Sequence, residues 1–248
     1  MFFHGRLNYI RIADFILYFF YKNFIFTIPQ FYFAFHSLYS GATVFEDYYI
    51  TFYNMVFTAL PITAKAIFES DLNYKTTKIE KAKEIYPYIY YVGQKNIIFT
   101  YYHYFLWLKS AVLQSLMVMY VCHLTFVEHA VKREGQNSDL WSFSVTFFHA
   151  IIIIVNIWLV AYSWLLNPLN LVAIILTSLG LFFLYAWITN FMWFSKTYQT
   201  FQTLYQSIGF YTAILFCVGT ATMIDFSWAA TRLNFRASSH HFVRILSA

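Results

Sequence analysis

Residues 15–38, FILYFFYKNFIFTIPQFYFAFHSL, and 48–68, YYITFYNMVFTALPITAKAIF, are two apolar runs separated by Tyr39-Ser40-Gly41-Ala42-Thr43. Each exceeds the ~20 residues that carry a helix across a bilayer. Each also holds groups that a plain anchor lacks: Lys22, Asn23, Pro29 and Gln30 in the first, Asn54, Thr58 and Pro61 in the second. A lysine at membrane depth costs at least ~2.5 kcal/mol on insertion scales, so it faces protein or a watered path. On a regular helix Lys22 and Pro29 share one face, and Asn54, Thr58, Pro61 and Lys65 form one stripe. Pro29 has no N–H for the carbonyl of Ile25, nor Pro61 for that of Phe57, so both helices are expected to bend or open there.

The remainder of the chain is of the same kind. Of its 248 residues 60% are hydrophobic and only 11% charged, against ~25% charged in an ordinary soluble domain. The class is therefore an all-α integral membrane protein. Aromatics at 24% suit lipid-facing helices and interfacial belts. The +5 net charge belongs to membrane topology, because no solvated basic domain exists to bind nucleic acid. Cys122 and Cys217 both lie in apolar segments, so neither a disulfide framework nor a metal motif is expected. Residues 1–14 do not read as a signal peptide, since the following apolar run is too long and is split by Lys22.

Further spans are expected at 105–126, 143–164, 170–190 and 207–230, giving six transmembrane helices. The longest polar connection, 69–104, alternates Lys with Glu over Thr76–Lys83 and reads as a solvated helix, followed by an interfacial aromatic segment from Asn96 to Tyr104. Lys65, Lys75, Lys78, Lys81, Lys83 and Lys95 with Arg232, Arg236 and Arg244 fall on one side, and Lys132, Arg133 and Lys196 on the other. This asymmetry places both termini in the cytosol. Glu46 and Asp47 open the second span and are expected to complement its helix dipole. Lys109 is expected to snorkel, Asn156 and Asn190 to make packing contacts, and Asp225 to mark the cytosolic end of the last span. His123 and His129 point to different faces, so metal binding is not expected.

His4-Gly5-Arg6, Tyr9 with Arg11, Tyr18-Phe19-Phe20-Tyr21-Lys22-Asn23 and Gln30-Phe31 resemble the fifth membrane helix of the type IV P-type ATPases, the phospholipid flippases. Ser40-Gly41, Asp47-Tyr48-Tyr49, Tyr53-Asn54 and Leu60-Pro61 resemble that family's sixth helix, and Tyr86-Pro87 with Tyr90, Gly93-Gln94 and Gln114-Ser115 continue the likeness toward the seventh. Tyr48, His36, Lys109 and Phe68-Glu69-Ser70-Asp71 depart from the family pattern.

The resemblance implies the C-terminal transmembrane part, helices five to ten, of an ATP-driven phospholipid-translocating ATPase in an endomembrane or the plasma membrane. In that frame residues 1–14 are the end of a cytosolic stalk and 15–68 a helical pair carrying transport-like polar residues. Residues 69–104 become a cytosolic connection, 105–230 a four-helix support region and 231–248 a basic cytosolic tail. Lys22, Asn23 and Asn54 become candidates for the substrate path, with Pro29 and Pro61 as helix kinks. An amide at Asn54, with no acid between Asp47 and Glu69, argues against a metal-ion site. The implied partners are membrane phospholipids, the N-terminal and catalytic portion of the ATPase, and an accessory glycoprotein beta subunit. ATP and Mg²⁺ serve the intact family enzyme. The family's Asp-Lys-Thr-Gly-Thr, Asp-Gly-Glu-Thr and Gly-Asp-Gly-x-Asn-Asp loops are absent from these 248 residues, so the chain is expected to lack catalytic competence alone. Met1 falls just before the family's His-Gly-Arg, which fits a fragment and fits a true truncation equally. The alternative is a truncated, flippase-derived structural subunit of a membrane assembly.

Overall fold

The computed structural model describes residues 2–68, 99–127, 139–163, 168–193 and 195–235. The Thr76–Lys83 segment, Lys132-Arg133, His129 and the tail from Arg236 lie outside them, as do Asn96, Ile97 and Ile98 of the expected interfacial segment, whose residues Tyr101 to Tyr104 instead open a long helix.

Helix α1 (Phe2–His36) joins the expected lead-in and first span into one rod that runs through Pro29. The second span is composite: α2 (Asp47–Phe52), a first π turn (Tyr53–Phe57), and α3 (Ala59–Phe68). Then follow α4 (Tyr101–Val127), α5 (Leu140–Ala161), α6 (Pro168–Ile175), a second π turn (Leu176–Leu181), α7 (Phe182–Phe191), the short α8 (Thr200–Tyr205) and α9 (Ile208–Phe235). No strand occurs among the described residues.

Among the described residues five stretches are long and apolar enough to cross a membrane, namely Asn8–His36, Asp47–Phe68, Tyr101–Phe126, Leu140–Ala161 and Ile208–Ser227. The expected span at 170–190 is not one of them, because the second π turn divides it. Gly180 falls in that turn, where a residue with no Cβ weakens a regular helix.

Helix α5 is the hub. Of its apolar stretch 83% is buried, against 22–44% for the other four. The uninterrupted Ile151–Val155 run suits a helix with protein on every side. Helix α1 packs along α4, α9 lies against α4 and α5, and α3 meets α6. Much of the filling is aromatic. Phe26 is stacked on Phe45 and on Tyr53 at 4.4 Å, and Phe148 meets all three rings.

Two polar clusters mark the ends of the bundle. At one, Lys65 of α3 pairs with Asp14 of α1 at 3.5 Å and donates to the Tyr162 carbonyl just beyond α5 at 3.1 Å. Arg11 donates to the Ile67 carbonyl beside them. At the other, the chain reverses after α1 through Gly41, whose φ of +77° glycine adopts without strain. The Gln30 amide closes that reversal, donating to the Ala42 carbonyl and accepting from the Val44 N–H. Tyr162 belongs to the first cluster and Ser195, described below, to the second, so the interrupted stretch 168–191 passes from one end to the other.

Candidate functional site

Pro61 shapes the site. Placed in the first turn of α3, it supplies no N–H to the Phe57 carbonyl. The preceding turn widens: the Thr58 N–H reaches the Tyr53 carbonyl at 3.2 Å, an i to i+5 bond, and the Thr58 hydroxyl donates to that same oxygen at 2.7 Å. The opening lies one turn before the proline.

Lys22 faces this opening. Its ammonium donates to the Thr58 hydroxyl at 2.8 Å, while the Tyr53 hydroxyl donates to the Lys22 carbonyl at 2.8 Å. Lys22, Thr58 and Tyr53 thereby close a ring of hydrogen bonds between α1 and the first π turn. All three are buried, Lys22 being only 4% exposed. The Phe19 ring lies 5.5 Å from the ammonium. Among the described residues no carboxylate pairs with Lys22, in contrast to Lys65 with Asp14 and Lys196 with Asp47. An ammonium has three donors, and one has a hydrogen-bonded acceptor here. Eight residues separate Lys22 from Asp14, about 12 Å along the helix.

The other sequence candidates distribute around this ring. Pro29 and Pro61 are buried, Asn23 is half-buried and Asn54 is exposed. Neither asparagine bonds to a member of the ring. The expected stripe holds for Thr58, Pro61 and Lys65, all buried, but Asn54 lies outside it, because a π turn inserts a residue and shifts the face of everything before it.

A separate polar chain starts at the residue before Lys22. The hydroxyl of that residue, Tyr21, donates to the Gln114 side chain of α4, whose amide donates to Asp225 of α9. Ser110 donates to the same carboxylate at 2.6 Å. Asp225 thus ties α9 to α4 near the end of the apolar stretch Ile208–Ser227, while the helix itself runs on to Phe235. Beside it a cavity of about 510 Å³ is lined by Trp107, Lys109, Ser110, Trp158, Tyr162 and Asp225, among others.

Glu46 does more than complement a helix dipole. It is 2% exposed. Its carboxylate accepts from the Ser195 hydroxyl at 2.8 Å, the Lys196 N–H at 2.9 Å and the Thr197 hydroxyl at 3.2 Å. It clamps the segment after α7 to the start of the second span, and nothing local in the sequence signals a contact 149 residues away. Asn156 donates to the Ile152 carbonyl of its own helix. His123, weighed in the sequence only against His129, instead meets His36, with ring centroids 4.8 Å apart. Among the described residues no three metal-ligating side chains gather.

The comparisons bear on what such an arrangement serves. The family described as "Phospholipid-translocating P-type ATPase C-terminal" matches residues 1–238. Human "Phospholipid-transporting ATPase IC" is 36% identical over 154 residues, covering 62% of this chain and 12% of that protein. Mouse "Phospholipid-transporting ATPase ID" is likewise 36% identical over 155 residues, with the same shares. "Probable phospholipid-transporting ATPase 4" of Arabidopsis thaliana is 33% identical over 189 residues, 73% of this chain and 14% of that protein. The chain thus spans a small part, 12–14%, of the length of these relatives. Apolar helices and family match together make it a multi-pass membrane chain, and it belongs to the phospholipid-translocating P-type ATPases, as their C-terminal membrane region.

Proposed function

We propose that this chain is the C-terminal membrane part of an ATP-driven phospholipid flippase and that Lys22 lies on its substrate path, meeting the anionic group of a lipid headgroup. The carrying observation is a buried ammonium with a hydroxyl, not a carboxylate, as its hydrogen-bond partner. Such a charge is costly at membrane depth, and a passing phosphate or carboxylate would offset that cost only while present. The first π turn supports the reading, since a helix already opened at Thr58 can regain or lose a turn when the rest of the enzyme moves. Asn23 and Asn54 remain path candidates as neighbours of Lys22 and Tyr53, the exposed Asn54 from the outer side of the turn.

The chain crosses the membrane six times in this proposal, with the interrupted 168–191 stretch as the fifth crossing. At 1.5 Å per residue its 24 residues extend to ~36 Å, enough for the ~30 Å hydrocarbon core. Both ends then lie in the cytosol, with 1–14 as the stalk end, 69–104 as the cytosolic connection, 105–230 as the support region and 231–248 as the tail. The phosphorylation, nucleotide-binding and actuator machinery belongs to the remainder of the ATPase, so this chain alone does not turn over. ATP and Mg²⁺ supply phosphoryl transfer there. The accessory glycoprotein subunit meets the non-cytosolic end, where the Glu46 clamp orders the surface.

The test is Lys22→Ala in the complete ATPase, reconstituted with phospholipid. Lipid-stimulated ATP hydrolysis is expected to fall by roughly tenfold, the equivalent of ~1.4 kcal/mol, while phosphoenzyme formation from ATP persists. Full lipid stimulation at normal expression would remove Lys22 from the path.

A further inference from the structure

Helices α4 and α9 run antiparallel in a register fixed by two atomic contacts. Gln114 of α4 meets Asp225 of α9; eight residues further along α4 Cys122 meets Cys217, eight residues back along α9. The same register sets Val118 opposite Ala221, and the Cys217 sulfur lies 4.0 Å from the Val118 carbonyl oxygen. Ala213, Cys217 and Ala221 recur every four residues and are all buried. Such a strip of small side chains lets two helix backbones approach closely. The two sulfurs are 3.7 Å apart, and both cysteines are 0% exposed.

We propose that Cys122 and Cys217 form an oxidative modification site, a thiol pair that hydrogen peroxide converts into an interhelical disulfide tying α9 to α4. A disulfide needs 2.03–2.05 Å, so the sulfurs close by about 1.7 Å from their 3.7 Å contact. The chemistry balances in two steps. One thiol reacts with peroxide to give a sulfenic acid and water. The second sulfur attacks it, the S–S bond forms, and the hydroxyl leaves with the remaining thiol hydrogen as a second water. Two electrons pass from the sulfurs to the peroxide. Burial slows the oxidant's approach and restricts it to one small and uncharged. Contact between the sulfurs favours capture of the sulfenic acid over further oxidation. Helix α9 gains most, because only 22% of its apolar stretch is buried, the least of the five spans.

The test treats membranes containing the full chain with hydrogen peroxide, blocks remaining thiols in denaturant and identifies tryptic peptides by mass spectrometry. Peptides 110–132 and 197–232 are expected to appear joined, to separate on adding dithiothreitol and to stay separate in Cys217→Ala. Peroxide should also raise the melting temperature of the parent chain and leave that of Cys217→Ala unmoved; equal melting of the two untreated proteins shows that the variant folds. Recovery of both peptides singly after peroxide, with blocked or sulfinic cysteines, would overturn the site. A joined pair with unchanged melting would overturn the tie.

Discussion

Thr58 serves two carriers at once, taking a hydrogen bond from the Lys22 ammonium and giving one to the Tyr53 carbonyl. Replacing it by valine keeps the shape and removes both. The ammonium then stays buried without its acceptor, and leaving a buried polar group unpaired costs about 1–3 kcal/mol. Thr58→Val is therefore expected to destabilise the purified protein by that amount in thermal or denaturant unfolding. Asn54→Leu, four residues earlier on an exposed position, should change stability by no more than ~0.5 kcal/mol. Equal losses would mean that Asn54 faces inward. Much of this site was legible in the sequence, since Lys22 stands out as a charge in an apolar run and Thr58 as a hydroxyl near a proline. The side to which Asn54 points was not, because face assignment assumes 3.6 residues per turn throughout and the π turn breaks the count. Nor were Glu46 and the two cysteines legible as partners: they meet residues 149 and 95 positions away, and nothing about an acid near a helix start or a thiol in an apolar run names a distant neighbour.

At the scale of the element, the two prolines act differently. Pro29 lies inside α1, which continues around it, whereas Pro61 sits where α3 begins and the preceding turn is widened. The sequence expects an opening at both and locates it one turn from where it falls in the second span. Only there does a threonine lie three residues before the proline, with a hydroxyl ready to bond the carbonyl freed in the widened turn. Pro61→Ala restores a donor for the Phe57 carbonyl and favours a regular helix through Thr58. The variant is expected to melt higher than the parent while losing lipid-stimulated ATP hydrolysis in the complete enzyme, since closing the turn withdraws the acceptor from Lys22. Higher melting with full activity would separate the opening from transport. The 168–191 stretch shows the same limit: its apolar composition read as one span, but the second π turn made it two short helices.

For the whole molecule, the arrangement of ends follows from contacts rather than from charge counting. Asp14, Lys65 and the Tyr162 carbonyl gather at one end, and Phe99 joins them through its N–H to the Tyr9 hydroxyl. Glu46, Ser195 and Thr197 gather at the other. The lysine and arginine asymmetry agrees with this, although many of the residues that carry it lie outside the described structure. If 168–191 crosses the bilayer, Tyr198 and Asn8 must lie on opposite sides of it. Both are exposed. The native Cys122 and Cys217 are fully buried and so stay silent toward a charged maleimide, which makes single added cysteines readable. Tyr198→Cys is expected to be labelled in intact cells when the protein resides in the plasma membrane, or in sealed organelle vesicles only from the lumen. Asn8→Cys should be labelled from the cytosolic side alone. Labelling of both from one side would show that the interrupted stretch enters and leaves the membrane on the same face, and the six-crossing topology would give way to five.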